Sequence, residues 1–423
     1  MPAPRMRSLI FVLIFGFACA SYLQRQGIGI AAERMMPELG LTQVHIGWLM
    51  NAFLITYAVF QVPGGLVGQR VGARLTIAVI GILSVLASVV TAAAPLIATS
   101  ALMFTTLVIA RSLLGVAHGG LFPVEAGTIR HWYPLGRWSS MVGLLVTGLW
   151  TGAAIASPLV ASLMEAYGWQ AAILLTSVPS LVLVVLWWIV VRDQPGQHPW
   201  IRPEELAETA ANPHYDATAP LTLRRVARVL GDPQILLVTL SYLVMNYVFY
   251  LVTFWSFLYL VQDRKLSVLE SGWLGALPFV VAGMAAAAGG RIADGLRHRH
   301  GDRRGPRILP LVTLPLAALF LYLTVSIDNA YPAIAALCLG FACVELNEGN
   351  YWGVAMRLAP NDSMAATAVL NTGGNIGGVI GTALVASLSE QGRWDTVFTT
   401  GVVTSIVAAL LWLTINPGRG ERT

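Results

Sequence analysis

The chain has 423 residues, of which 56% are hydrophobic and only 11% charged, with a formal net charge of +5. Soluble domains carry about 25% charged residues, so this composition excludes a soluble enzyme or binding module and describes a polytopic membrane protein. The basic residues are scattered through short loops and form no tract, which fits membrane topology and excludes a nucleic-acid partner.

A bilayer is spanned by about 20 apolar residues. Windows of that length predict helices at 8–32, 47–69, 75–95, 101–127, 139–166 and 169–191, then at 234–261, 269–293, 308–326, 331–357, 363–388 and 395–415. The expected fold is therefore an all-α membrane protein, with twelve transmembrane helices in two pseudo-symmetric six-helix bundles, 1–191 and 234–423. Between them lies the only long polar stretch, a central loop at 192–233 with Pro195, Pro199, Pro203, Pro213 and Pro220. Its segments 203–206 and 223–226 read as short surface helices.

The start imitates a signal peptide, with Arg5 and Arg7 ahead of an apolar run and Ala18-Cys19-Ala20. Cleavage there would cut the first span in half, so the segment is read as retained. Placing the N-terminus, the central loop and every second loop in the cytoplasm collects 20 of the 26 Lys and Arg residues there. Arg34, Arg264, Lys265 and Arg393 fall outside, and Arg25 and Arg111 lie within spans. Both termini are thus expected to be cytoplasmic. Cys19, Cys338 and Cys343 sit in apolar runs without metal-ligand spacing, so neither a metal site nor a cofactor is expected.

Charges inside spans cost at least a few kcal/mol and mark functional sites by default. In span 1, Tyr22 and Arg25 are one turn apart and share a face. Arg25 either faces a cavity or snorkels to the outer interface. In span 4, Arg111 and His118 are seven residues apart, about 10 Å along one face. Arginine's planar fork suits a carboxylate or phosphate, the alternative for Arg111 being a permanent ion pair. His118 either carries a coupling proton or hydrogen-bonds a neighbouring helix. Glu125, after Pro123 near the cytoplasmic end, reads as a gate or a cap for Arg130.

Span 10 places Glu345, Glu348 and Trp352 at i, i+3 and i+7, deep in an apolar run. Two carboxylates that close cannot both ionise cheaply, so one is expected to hold a proton. They are a proton site, or neutralise Arg25 and Arg111, or bind a cationic group of a substrate; chelation with His118 has no support in ligand spacing. In span 11, Asn371 and Asn375 are one turn apart among glycines that favour close helix packing. Trp150, Tyr250 and Trp255 are candidates to line a cavity or simply to pack.

The halves repeat. Gly65-Leu-Val-Gly-Gln-Arg-Val-Gly-Ala-Arg74 follows span 2, and Gly290-Arg-Ile-Ala-Asp-Gly-Leu-Arg297 follows span 8 at the corresponding place. Repeated halves imply substrate binding between them and alternating access by rocking. With six-plus-six spans, these turns resemble the major facilitator superfamily. More narrowly, 57–74, Arg192-Asp-Gln-Pro-Gly-Gln-His-Pro199 and Asn246-Tyr-Val-Phe-Tyr250 resemble its anion:cation symporter family, which includes bacterial sugar-acid and phthalate permeases and vesicular glutamate and sialic acid transporters.

That resemblance implies an anion ligand at Arg25 and another at Arg111, and a substrate-contacting residue at Asn371. The family's acid beside the span 1 arginine is Gln24 here, and its span 4 acid is His118. Leu149 stands where sugar-acid permeases tend to carry a hydrogen-bonding Gln, which points to a less polar carboxylate.

The expectation is a monomeric transporter of a bacterial inner membrane that moves a small organic anion by proton-coupled symport, with the lipid bilayer and the proton as its other partners. Tyr22, Arg25, Arg111, Tyr250, Trp352 and Asn371 are assigned to substrate and Glu345, Glu348 and His118 to the proton. Arg70, Arg74, Glu125 and Asp294 are assigned to gating. A drug or metabolite exporter holding a cation on the two acids, or a transport-inactive sensor, are the alternatives. No Ser/His/Asp set, phosphate loop or metal cluster is visible, so an enzyme is not expected.

Overall fold

The computed structural model describes residues 6–97, 99–134, 137–210 and 223–418; Arg5, Pro213 and Pro220 lie outside them. The secondary structure among the described residues is helical. In chain order the α-helices are α1 (Met6–Leu39), α2 (Gln43–Val71), α3 (Ala73–Ala93), α4 (Ser100–Trp132), α5 (Trp138–Val190), α6 (Pro203–Ala210) and α7 (Leu223–Leu230). They continue with α8 (Pro233–Gln262), α9 (Val268–Ser326), α10 (Ala330–Glu345), α11 (Glu348–Leu358), α12 (Ser363–Glu390) and α13 (Trp394–Thr414).

Among the described residues ten continuous helical stretches are long and apolar enough to cross a bilayer. Two of them are double. A helix of 53 residues such as α5 would be about 80 Å long at 1.5 Å per residue, more than twice the hydrocarbon thickness. It turns back at Gly168 (φ 83°, ψ 166°), and α9 does so at Gly301 (φ 77°, ψ 168°), backbone conformations that L side chains rarely adopt. Each glycine divides its helix into two crossings, which gives twelve. Both expected short helices of the central stretch form, as α6 and α7.

The chain divides into two compact units, Met1–Leu41 with Trp48–Thr218 and Thr42–Gly47 with Ala219–Thr423. The first unit has its own apolar core, where Ile10, Phe17, Trp132 and Trp187 are buried together. The stretch 192–210 of the central segment belongs to this unit, whereas α7 belongs to the second, where Arg228 Nη1 lies 2.8 Å from Asp362 Oδ2. Glu205 of α6 accepts from the backbone N–H of Met6 at 3.1 Å, and Glu208 pairs with the Arg7 guanidinium. Tyr133, just past α4, donates to the Arg7 carbonyl at 3.0 Å. Burial pushes that phenol up to about 12, so it remains a neutral donor.

The basic turn after α2 is held by a residue far along the chain. Gly72 takes φ 98° and opens α3, while the Asp193 carboxylate accepts from Arg74 N–H at 2.8 Å at that helix's N-terminus, where a negative charge is favoured. The Arg74 guanidinium donates to the Trp188 carbonyl at 2.7 Å and lies 4.5 Å from the Trp188 ring centroid. A Cβ on Gly72 would come within 2.6 Å of the Asp193 carboxylate. Gly72→Ala is therefore expected to destabilise by about 2 kcal/mol through strain and a displaced cap, visible as a lower melting temperature, with Arg70→Ala close to neutral because Arg70 is exposed.

Candidate functional site

In the first unit the buried charges gather round one aromatic ring. Phe53 of α2 is fully buried. The Arg25 guanidinium carbon lies 5.2 Å from its centroid and that of Arg111 5.1 Å. Both arginines are at most 4% exposed. A desolvated cation held within about 6 Å of a ring face gains on the order of 2 kcal/mol, which offsets only part of the cost of burying it. Arg25 is also 5.2 Å from the Tyr22 ring and 5.3 Å from that of Tyr57, so three rings surround it. Arg111 donates from Nη2 to the Arg25 carbonyl at 3.4 Å, a long contact, and its Nε has no acceptor among the described residues. His118 stands edge-on to Phe53 at 6.0 Å.

These groups border a cavity of about 50 Å³, lined by Tyr22, Arg25, Tyr57, His118, Glu125 and Leu149 among others. That volume admits a few water molecules. Arg111, 5.1 Å from the Phe53 centroid, is not among the residues that line it. Gln24, at the place of the family's acid, faces elsewhere: it bridges Ser88 of α3 at 3.4 Å and Ser180 of α5 at 3.3 Å. Glu125 is 1% exposed and borders the same cavity as Arg25.

In the second unit the two acids part company. The span 10 run is interrupted, so Glu345 ends α10 and Glu348 begins α11. Across the break Asn347 N–H bonds to the Val344 carbonyl at 3.0 Å, an i−3 bond where a straight helix has i−4. The Asn347 amide fixes the turn by donating to Thr313 Oγ1 at 2.8 Å and to the Cys343 carbonyl at 2.8 Å. Glu348 Oε1 accepts from Tyr242 OH at 2.8 Å and from Trp352 Nε1 at 2.7 Å. Glu345, 1% exposed, has no hydrogen-bond partner on either oxygen among the described residues. Tyr250 donates to Asn375 Oδ1 at 3.0 Å, and Asn375 in turn donates to the Asn371 carbonyl at 2.9 Å.

The remaining expected positions lie at helix ends. Arg70 is exposed in the last turn of α2. Asp294, 68% exposed, is 3.9 Å from Arg297 one turn on. Among the described residues no group of three His, Cys, Asp or Glu side chains is placed to hold a metal ion.

The sequence profile of the Major Facilitator Superfamily matches residues 14–366. The chain belongs to that superfamily. It is similar to a Cupriavidus necator protein described as "Probable sulfoacetate transporter SauU", 27% identical over 96% of this chain and 94% of the relative. It is also similar to the hexuronate transporter of Bacillus subtilis, 26% identical over 90% of this chain and 88% of that one. A third relative is the chloroplastic sodium-dependent phosphate transport protein 1 of Arabidopsis thaliana, 26% identical over 97% of this chain and 79% of that one. Among solved structures, a bacterial homolog of the human lysosomal transporter Spinster, inward-facing and occupied, covers 100% of this chain and 98% of its own at a TM-score of 0.76 and 16% identity. That likeness concerns the fold.

As a major facilitator protein the chain is a multi-pass membrane transporter and not an enzyme. Three side chains of the two sites are absent from the sequence expectation. Phe53 and Tyr57 are one turn apart in α2, a pair indistinguishable from lipid-facing aromatics until Arg25 is seen close to both rings. Tyr242 had a legible signal, since Tyr242, Asn246 and Tyr250 recur every four residues and form one stripe on α8.

Proposed function

We propose that this transporter moves a small organic anion, a carboxylate of limited polarity, by proton-coupled symport with alternating access in a bacterial inner membrane. The observation that carries the reading is the pair of buried guanidinia on Phe53, with Arg111 Nε lacking an acceptor among the described residues. Two desolvated cations side by side are tolerable only when negative charge comes to them. The names of the relatives, for sulfoacetate, hexuronate and phosphate, agree in being anions. Leu149 on the cavity wall supports a ligand with few hydroxyls. In this reading Tyr22, Tyr250, Trp352 and Asn371 contact substrate, and Arg74, Arg70 and Asp294 steady the cytoplasmic turns. Both termini face the cytoplasm and the transporter works as a monomer.

Glu345 and Glu348, with His118, carry the coupling proton. A purified sample screened by thermal shift against a panel of carboxylates at two pH values identifies the substrate class; stabilisation by cations alone would instead establish the exporter reading, which the unpartnered Glu345 oxygens favour. In proteoliposomes the double variant Glu345→Gln/Glu348→Gln is expected to keep counterflow exchange and lose accumulation driven by a pH gradient. Accumulation at the parent level in that variant would place the coupling elsewhere.

A further inference from the structure

Arg111, His118 and Glu125 follow one another at intervals of seven on α4, which keeps them on one stripe. The last of them is the anomaly. Glu125 is 1% exposed, neither of its oxygens has a hydrogen-bond partner among the described residues, and it lines the cavity that Arg25 lines. Neither oxygen accepts from Arg130, the partner a cap would use.

We infer that Glu125 binds a proton when an anion enters the cavity of Arg25, so that the first unit holds its own proton site beside the substrate. This rests on the anion reading of Arg25. A carboxylate buried without a donor is costly in its charged form. An anion arriving at Arg25 puts a negative charge into the cavity that Glu125 also lines. Two negative charges in one desolvated cavity repel, and a proton on Glu125 removes the conflict. The coupling is reciprocal: the anion favours the proton, and the proton favours the anion.

The surroundings leave few rivals for the proton. From α1 the cavity receives Tyr22 and Arg25, with the Cys19 thiol within electrostatic reach of Glu125. From α2 it receives Tyr57, from α4 His118, and from α5 only the apolar Leu149. Phenols and a thiol titrate in the wrong range for exchange near neutral pH. His118 is the one serious competitor.

The test uses the full chain with Glu345→Gln/Glu348→Gln as background, which silences the acids of the second unit. With sulfoacetate as the probe anion, the apparent Kd is expected to rise by up to about tenfold per pH unit on the alkaline side, because each bound anion requires a proton. Adding Glu125→Gln is expected to flatten that dependence while binding persists, and Glu125→Asp to restore it. Dependence that survives Glu125→Gln, or that disappears with His118→Asn instead, overturns the proposal.

If sulfoacetate binds neither protein, the anion reading is at fault for that ligand, and the proton site is decided separately by infrared titration. A carboxylic-acid carbonyl band removed by Glu125→Gln supports it, and a band unchanged by that substitution overturns it.

Discussion

Replacing Arg111 or Arg25 by glutamine is expected to lower uptake by about thirtyfold or more while the protein still inserts and extracts as a folded species. Removing one partner of a desolvated, charge-assisted contact costs on the order of 2 to 5 kcal/mol, and about 1.4 kcal/mol is a factor of ten. Insertion should survive because each substitution deletes a buried charge whose desolvation was itself unfavourable. The two positions should differ with lysine. Arg25 lines the cavity among three rings, where a planar fork both stacks and donates. Arg111 does not line that cavity and reaches the Arg25 carbonyl through one donor. Arg111→Lys is therefore expected to retain more transport than Arg25→Lys. Radiolabelled uptake in proteoliposomes, normalised to protein recovered by size-exclusion chromatography, checks both statements; undiminished uptake by both glutamine variants would sink the anion assignment.

The second large effect is expected from a glycine with an adjacent control. A Cβ on Gly289 would collide with the carbonyl oxygen and backbone of Leu346, in the turn between α10 and α11. Backbone cannot rotate away as a side chain can, so Gly289→Ala must push α9 off the turn. Overpacking of this kind costs typically 1–3 kcal/mol, and here it falls beside the acids at positions 345 and 348. The expected result is a melting temperature several degrees lower and transport reduced at least tenfold. At Gly290 a Cβ meets nothing within 4 Å. Gly290→Ala should leave both quantities unchanged, and a matching loss there would show that contact with Leu346 does not set the effect.

The crossings were legible because hydropathy over about 20 residues is a strong signal that needs no tertiary information. The same windows bracket the points where helices turn back, 139–166 and 169–191 meeting at Gly168 and 269–293 and 308–326 flanking Gly301. Gly168 and Gly301 each join two helices with no intervening coil, so a change of direction is encoded by one φ value and not by a polar loop. The interruption at residues 346–347 was invisible for a related reason. Leu346 and Asn347 keep right-handed helical angles, and only the Asn347 bond to Val344 marks the break.

The site followed the same division. Arg25, Arg111, Glu345 and Glu348 announce themselves because charge in an apolar run has few innocent explanations. Phe53 and Tyr57 do not, since an aromatic residue in a membrane helix has many. Glu125 was less legible. Its nearness to Pro123 and Arg130 points to a helix end, and only the structure shows that α4 continues to Trp132 and buries it.

The turn at 346–347 also has a mechanical meaning. Glu345 belongs to α10, whose Phe341 packs on Phe249 and Phe279, and Glu348 belongs to α11, which is tied through Asn350 to the Pro306 carbonyl and through Tyr351 to Ser241 and Trp412. The two carboxylates thus ride on separately anchored levers joined at a pivot. Any tilt of one segment changes the spacing of the charges, and with it the work of charging the pair, by an amount that varies inversely with distance. In the proposed proton-coupled cycle the pair would act as a strain gauge read out in protons, with displacement of a helix converted into a change of proton occupancy.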